Sequence, residues 1–586
     1  MDRGIQSFLN VSTCHCPSFS PDGNQVAYLS NQTGTNQIWV MNVQDQSTKQ
    51  ITTLECAVKK VSYSPIEPIL AFTMDKDGDE KYQIFLLNDQ GEHQLLTDGE
   101  SVNFFGGWSP DGNYILYSSN QRNPKYFDVY IQSIKNLKEK SMILESNEYW
   151  TPLQWNPNGK SILLMRRSEG SMNNDLFLFH LEQGDLEHLT PHKGQAYHWS
   201  WDFHGSGERL LVATDEKTDY AELIWLDLRS KTRTRIASFQ DKGIDLCRIS
   251  SNGKYLLYGI RKDGQSILRL IEIEKNREIP LPPLPLGYVW DATWANDKYL
   301  AITLDGAQNP TNLWILDIEH NIWITSYLPE SAYVQPQLIH CPSFDGLNVP
   351  GWLYLPTNVK INKSLPVLIH VHGGPEDQAR PIFNPVIQYF VSNGFAVLTP
   401  NIRGSTGYGK SYTKLDDGRK RLDAVADLHA YYQYLVRSKW INPLQVSIMG
   451  HSYGGLMVLL AMTTYPEIWA NGVAIAPISD LESYLENTSI HRKRFREAEY
   501  GSLNLDRNWF REVSPIHHVE KITSPLLLIH GKNDTRIPYQ ETLTFFNKLK
   551  DVHSKVNCIL LSDEGHEITK TKNKIHIYKE IVSFLK

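Results

Sequence analysis

Three residues far apart in this chain are of the types and in the order that nucleophilic catalysis requires: Ser452, Asp534 and His566. Ser452 stands in Gly450-His451-Ser452-Tyr453-Gly454, entered from the apolar, β-leaning run 446–449 and left through the helix-forming run 456–460. A G-x-S-x-G alone fits many ordinary turns. With a strand before it and a helix after it, the motif becomes a tight turn whose glycines let the hydroxyl project above a sheet edge. A serine hydroxyl is a poor nucleophile at neutral pH and needs a base to take its proton. The apolar run 526–529 leads into His530-Gly531-Lys532-Asn533-Asp534, and the run 558–561 leads into Ser562-Asp563-Glu564-Gly565-His566. His566 is then general base and afterwards general acid, with Asp534 fixing its tautomer and stabilising the imidazolium. Asp480, which follows the strand at 472–475, is the alternative acid. Asp563 and Glu564 are too near His566 in sequence to reach its ring easily and read as solvated loop carboxylates.

Attack on a carbonyl also needs two preorganised donors for the developing oxyanion. The amide of Tyr453, next to the nucleophile, is one. The second is expected from His372-Gly373-Gly374-Pro375, after the strand at 367–371, where glycines allow the backbone close to the reacting group.

These residues need a scaffold that brings strand ends together. From about residue 326 onward, apolar runs at 367–371, 396–398, 446–448, 472–475, 526–529 and 558–561 alternate with helical stretches such as 422–436 and 539–549. A hairpin about Asp345-Gly346 precedes them. The alternation predicts an α/β-hydrolase catalytic domain over 326–586, a mostly parallel, doubly wound sheet with its site beyond the carboxyl ends of the strands. The boundary is placed near Tyr327-Leu328-Pro329-Glu330-Ser331.

Before it, the chain repeats itself. Phe19-Ser20-Pro21-Asp22-Gly23 recurs as Trp108-Ser109-Pro110-Asp111-Gly112 and Trp155-Asn156-Pro157-Asn158-Gly159, with weaker copies led by Tyr63, Trp201, Ile249 and Trp294. The lead residues are 44 to 48 apart, the period of a four-stranded propeller blade. Seven copies predict an all-β seven-bladed propeller over 1–325, since a blade cannot bury both faces alone. The charged run Asp75-Lys76-Asp77-Gly78-Asp79-Glu80-Lys81 could contact substrate, but a solvated turn is the simpler reading.

Composition excludes several functions. A net charge of −7 gives no footprint for nucleic acid, and no stretch approaches the roughly 20 apolar residues of a membrane span. The first residues lack the apolar core of a signal peptide, and the six cysteines are scattered, with only Cys14-His15-Cys16 close-set. A reducing, cytoplasmic setting is expected.

With these motifs assembled, the chain resembles the prolyl oligopeptidase family of serine peptidases over both halves. The resemblance rests on His372-Gly373-Gly374-Pro375, Asn401-Ile402-Arg403-Gly404-Ser405-Thr406-Gly407-Tyr408-Gly409, the elbow at Ser452, His530-Gly531 through Asp534-Thr535-Arg536-Ile537-Pro538, and Gly565-His566. It looks most like the acylaminoacyl-peptidase branch. That implies Gly374 as the second oxyanion donor, Arg536 as a contact to a substrate carbonyl, and Tyr484 as a wall of the pocket beside the scissile bond. It also implies a propeller that restricts access to short peptides, and a homo-oligomer as the assembly common among relatives.

Two segments depart from the family pattern. Asp416-Asp417-Gly418-Arg419-Lys420-Arg421 is basic where an aromatic-glycine pair is usual, and His491-Arg492-Lys493-Arg494-Phe495-Arg496 is a second basic cluster. One of these arginines could recognise a substrate carboxylate, as in a carboxypeptidase, although a solvated helix face is the simpler reading. The Glu-Glu pair that dipeptidyl peptidases use for a free amino terminus is not evident. The expected activity is hydrolysis of short peptides or acyl-peptides through an acyl-enzyme, needing no metal or cofactor, no nucleic acid and no membrane. The alternatives are an esterase or amidase acting on a small metabolite, and a non-catalytic propeller scaffold.

Overall fold

The repeated turns close by the same hydrogen bonds. In the computed structural model, which describes residues 4–168, 170, 172–325, 333–357, 364–438 and 440–586, the Ser20 hydroxyl donates to Asp22 at 2.6 Å and accepts from the Gln25 amide at 3.0 Å. Ser109 repeats this with Asp111 at 2.6 Å and Tyr114 at 2.9 Å. The glycine that follows, Gly23 or Gly112, has φ of +73° or +69°, a conformation that L side chains rarely adopt.

Each turn joins two strands of a four-stranded antiparallel sheet, and seven such sheets follow one another among the described residues. The first comprises Cys14–Phe19, Gln25–Ser30, Gln37–Asn42 and Thr48–Gln50; the seventh comprises Tyr288–Ala295, Tyr299–Gly306, Asn309–Asp317 and Ile322–Thr325. Their buried faces meet pairwise. Leu29 and Ile38 of the first sheet pack with Val61 and Phe72 of the second. Phe19, Val26 and Met41 of the first pack with Tyr299, Leu313 and Ile315 of the seventh, which closes the ring. This is the expected seven-bladed propeller.

The chain divides into two units: Ser12–Lys76 with Glu80–Glu330, and Met1–Val11 with Asp77–Asp79 and Ser331–Lys586. The expected boundary segment, Tyr327 to Ser331, lies outside the described residues. The division departs from a single cut at 325. A short helix, Ile5–Leu9, belongs with the second unit, where Phe8 packs its ring against Tyr333 and Tyr389, centroids 6.3 and 6.1 Å away. The charged run at 75–81 is only partly a solvated turn: Lys76, Asp77 and Lys81 are exposed. Asp75 is buried and pairs with Lys59 at 3.3 Å, while Asp77, grouped with the second unit, pairs with Lys570 at 2.9 Å.

The second unit is built on eight strands: β1 (Gln337–Pro342), β2 (Asn348–Tyr354), β3 (Leu365–Val371), β4 (Ala396–Pro400), β5 (Ile441–His451), β6 (Gly472–Ile475), β7 (Leu526–Gly531) and β8 (Val556–Leu561). They lie in the order β1-β2-β4-β3-β5-β6-β7-β8. The β1/β2 and β2/β4 pairs are antiparallel and the rest parallel. Helices cover the sheet, among them Arg421–Val436 and Gln540–Lys550, close to the expected bounds. The helix after the elbow, Tyr453–Thr464, is buried through Thr463, which explains why its sequence is apolar on every side. The predicted α/β-hydrolase sheet is present, and each loop expected to carry chemistry leaves the carboxyl end of a strand.

The seam between the first and seventh blades rests on side-chain packing, so it is sensitive to a cavity. Leu313→Ala, at a fully buried position, is expected to cost about 2–5 kcal/mol. Urea unfolding followed by tryptophan fluorescence reads this directly, and an unchanged midpoint would show that the seam does not depend on this contact.

Candidate active site

The elbow is held by close backbone approach. Ser452 has φ +60° and ψ −120°, an uncommon conformation for a residue with a side chain. A Cβ on Gly450 would lie 2.3 Å from the Gly454 carbonyl oxygen, and one on Gly454 would lie 2.3 Å from that of Val371. Glycine is therefore required at both positions, and the turn presses against the end of β3. The Ser452 amide is fixed to the Ile475 carbonyl at 2.9 Å, tying the turn to β6 as well.

The structure brings Ser452, His566 and Asp534 into one row. His566 Nε2 lies 3.0 Å from Ser452 Oγ, and Nδ1 lies 2.7 Å from Asp534 Oδ2. The carboxylate can only accept, so Nδ1 carries the proton and Nε2 is left to accept from the serine hydroxyl. Asp534 Oδ1 in turn accepts from the amides of Arg536 at 2.8 Å and Ile537 at 2.9 Å. Burial pushes the Asp534 carboxyl up, but hydrogen bonds from His530 and His566, together with their charge, outweigh it. The carboxyl is held well below its ordinary value of 3.8.

His530 is a part of the site that the motif reading left without a role. At the end of β7 and fully buried, it faces Asp534 Oδ2 at 3.1 Å and the Ile537 carbonyl at 3.0 Å with Nε2, so that nitrogen is the donor. Its Nδ1 accepts from Thr542 at 2.7 Å. His451, inside the elbow motif, donates from Nε2 to the His566 carbonyl at 2.8 Å and so steadies the loop that carries His566. The signal for both was available, since each stands within or beside a quoted motif. Histidine is too versatile, however, for position alone to assign a donor.

The other candidates divide. Tyr453 opens its helix, where amides have no intrahelical acceptor, and so presents a free N–H direction beside Ser452. The glycine loop lies against the serine: a Cβ on Gly373 would stand 3.6 Å from that of Ser452, and Gly374 follows with φ +135°. Arg536 is half-buried, its amide on Asp534 and its carbonyl accepting from Thr488 at 2.8 Å. Tyr484 is buried, edge-on to Tyr500 at 5.8 Å, which leaves little of it for a substrate to touch. Asp480, the alternative acid, caps the helix Leu481–Asn487 through the Glu482 amide at 3.0 Å.

Two expectations of solvation do not hold. Glu564 is 1% exposed and accepts from the amides of Thr569 and Lys570 at 2.9 and 3.0 Å, at the entry to the helix Thr571–Leu585. The negative charge complements the free amides of a helix start. The basic segments are also not simply solvated faces, because Arg421 is fully buried. Asp563 does stay at the surface, paired with Lys570 and Lys572 at 3.2 and 3.0 Å.

Among the described residues, two groups of side chains come within metal-ligating distance of one another, His451 with His566 and Glu567, and Asp416 with Asp417 and Glu499. Neither offers a free donor set. Both ring nitrogens of His566 are engaged, and Asp416 and Glu499 are bound by Arg421.

Fold and site together define a class: a propeller joined to an α/β-hydrolase with a serine at its elbow. Residues 381–586 match the prolyl oligopeptidase family model of S9 peptidases, and residues 5–202 match the TolB beta propeller domain. The chain is 24% identical to dipeptidyl aminopeptidase BIII of Pseudoxanthomonas mexicana, covering 94% of this chain and 84% of that protein. It is 25% identical to the human acylamino-acid-releasing enzyme over 52% of this chain and 41% of that one. A puromycin-hydrolyzing peptidase of Mycobacterium tuberculosis has the same fold, with a TM-score of 0.87 at 16% identity over 100% of this chain and 95% of its own. Over residues 381–586 the chain matches the prolyl oligopeptidase family, and with this site it is a serine peptidase of the S9 type. Among the described residues no helix is long and apolar enough to cross a membrane.

The lowered Asp534 value sets a pH signature. A carboxyl held below its ordinary range adds stability that is complete above about pH 4 and is lost as pH falls through the folded value. The difference in unfolding free energy between the native chain and Asp534→Asn is therefore expected to be flat from about pH 5 to 8 and to shrink below about pH 4. Denaturant titrations at each pH check this, and a difference that grows on acidification would contradict the assigned direction. His530→Ala, which strips one of the hydrogen bonds on Oδ2, is expected to lower kcat about tenfold with KM nearly unchanged in steady-state kinetics.

Proposed function

We propose that the enzyme hydrolyses short peptides or acyl-peptides through an acyl-enzyme on Ser452. The observation that carries this reading is the placement of His566 between Ser452 and Asp534, within hydrogen-bond reach of both. His566 Nε2 takes the hydroxyl proton as Ser452 Oγ attacks the scissile carbonyl, and the carbonyl oxygen becomes an oxyanion held by the amides of Tyr453 and Gly374. The imidazolium, stabilised by Asp534, then gives its proton to the leaving nitrogen and the C–N bond breaks. Water, deprotonated by the same nitrogen, attacks the ester, and the acid product leaves as the proton returns to Ser452. Charge and positioning are supplied by side chains and amides alone, so the reading invokes no metal or cofactor. Arg536, two residues after the acid, is assigned to a substrate carbonyl.

The names of the relatives, a dipeptidyl aminopeptidase and an acylamino-acid-releasing enzyme, support a substrate that is a peptide with a free or acylated amino end. Six free cysteines fit a reducing, cytoplasmic compartment. The homo-oligomer implied by the family resemblance is open to sedimentation velocity, where a single species of monomer mass would dismiss it.

Ser452→Ala is expected to lower kcat about 10⁶-fold and to abolish fluorophosphonate labelling, and Asp534→Asn to lower kcat about 10⁴-fold. Mass spectrometry of products from free, acetylated and amidated short peptides identifies the preferred end. Turnover of p-nitrophenyl esters with no cleavage of any peptide would rule out the peptide substrate while leaving the triad in place.

A further inference from the structure

The two basic segments that the reaction does not use meet in the structure. Arg421 donates through Nη1 to Asp416, and through Nη2 to the Glu499 side chain and to its carbonyl at 3.2 Å. Its guanidinium lies over the rings of Tyr453 and Tyr500, 5.2 and 4.9 Å from their centroids. Asp416 accepts the Tyr453 phenol at 2.9 Å. Glu376 lies beside Glu499, and its Oε2 lies 3.6 Å from Arg496 Nη1. The same Arg496 nitrogen donates to the Gly374 carbonyl at 3.4 Å. The path runs Tyr453, Asp416, Arg421, Glu499, Glu376, Arg496, Gly374. Its ends are the two residues assigned to the oxyanion.

The charges along it do not cancel as written. Three carboxylates face two guanidinium groups in a region where Arg421, Asp416 and Glu499 are each at most 4% exposed. An unpaired buried charge is costly, so the group retains a proton. Burial, reinforced by the neighbouring Glu499, pushes the Glu376 carboxyl well above its ordinary value against the pull of Arg496. Glu376 is then the protonated member, able to donate to Glu499. Burial also raises Asp416, opposed by Arg421, and Asp417 at the edge of the group is pushed up to about 6 by burial and by Glu499. Tyr484 and Tyr500 also lie close to Arg496.

We propose that this buried chain of charges is the positioning device of the oxyanion hole, holding the Tyr453 and Gly374 amides in the geometry of the transition state. The proposal rests on the triad reading above. A glycine has no side chain and no strong backbone preference, so the loop must be fixed by partners: the peptide that carries the Gly374 N–H is held at the Gly373 carbonyl by His372 Nδ1 at 2.7 Å, and Arg496 holds the carbonyl that follows, that of Gly374, which limits rotation about the Gly374 Cα. Tyr453 is anchored at its far end by Asp416, which limits rotation of the first turn of its helix. Oxyanion donors act by being fixed before the reaction, and groups that fix them affect the transition state more than the ground state.

The test uses p-nitrophenyl acetate for turnover and 2-phenylethylboronic acid as a tetrahedral, oxyanion-like adduct. Tyr453→Phe keeps the amide and removes only the anchor. It is expected to lower kcat about tenfold and to weaken the boronate by a similar factor, with KM within twofold. Glu376→Gln imitates the protonated acid. As pH rises far enough to ionise Glu376 beside Glu499, the native enzyme should lose kcat and boronate affinity, and Glu376→Gln should not lose them in the same range. Native boronate affinity in Tyr453→Phe, or identical pH profiles for Glu376→Gln and the native enzyme, would overturn the proposal. Should Tyr453→Phe fail to fold, the pH comparison decides it alone. A native chain that neither hydrolyses the ester nor is labelled at Ser452 would instead refute the triad reading, and this proposal with it.

Discussion

The backbone of Ser452 is the constraint from which the rest of the catalytic unit follows. Its dihedrals, +60° and −120°, are ones a side-chain-bearing residue adopts only when its surroundings leave no alternative. Those surroundings are Gly450 and Gly454, each packed so closely on main chain that a methyl group would collide with a carbonyl oxygen. The helix that leaves the elbow is buried through Thr463 and cannot shift to relieve the turn. The strained hydroxyl is thus presented by the central part of the sheet, and the loops of β7 and β8 need only deliver an acid and a base to a place already fixed.

Around that point the structure handles buried charge in two ways. Asp534 is kept ionised by surrounding it with donors: two histidines and two backbone amides take up its two oxygens. Between Tyr453 and Gly374 the opposite device operates, and carboxylates outnumber guanidinium groups so that one must keep its proton. The first arrangement suits a group that stabilises a transient imidazolium. The second suits a scaffold, because a proton kept on Glu376 removes a repulsion with the neighbouring Glu499.

Much of this was legible in the sequence because the chemistry of the turns leaves little choice. Ser20, Asp22 and Gly23 announce a blade since the hydroxyl, the carboxylate and the positive φ are each required there. Ser452, Asp534 and His566, which the fold brings into one row, could be singled out because each follows an apolar run, and a parallel sheet puts every such end on one side. What could not be read depends on pairing across long stretches of chain. The outer strands of the blades, such as Thr48–Gln50 and His93–Leu95, are three residues long and largely exposed, with no pattern to detect. Arg421 and Glu499 look like surface residues in a linear reading, and only the fold brings them together 78 positions apart. Glu564 and the helix Ile5–Leu9 were missed for the same reason, since burial of a polar group or attachment of a terminal helix is a property of partners and not of local composition.

The ring of blades carries one further implication. Every blade is a single uninterrupted stretch of chain, and none of the described strands is exchanged between the first blade and the last. Six of the seven junctions are therefore crossed by the polypeptide itself, while the seventh is a clasp of apolar side chains such as Met41 and Leu313. If the toroid is ever to gape, the place where it can do so without rupturing a β-ladder or straining a connecting segment is that clasp, and the hydrophobic effect alone sets how readily it unfastens.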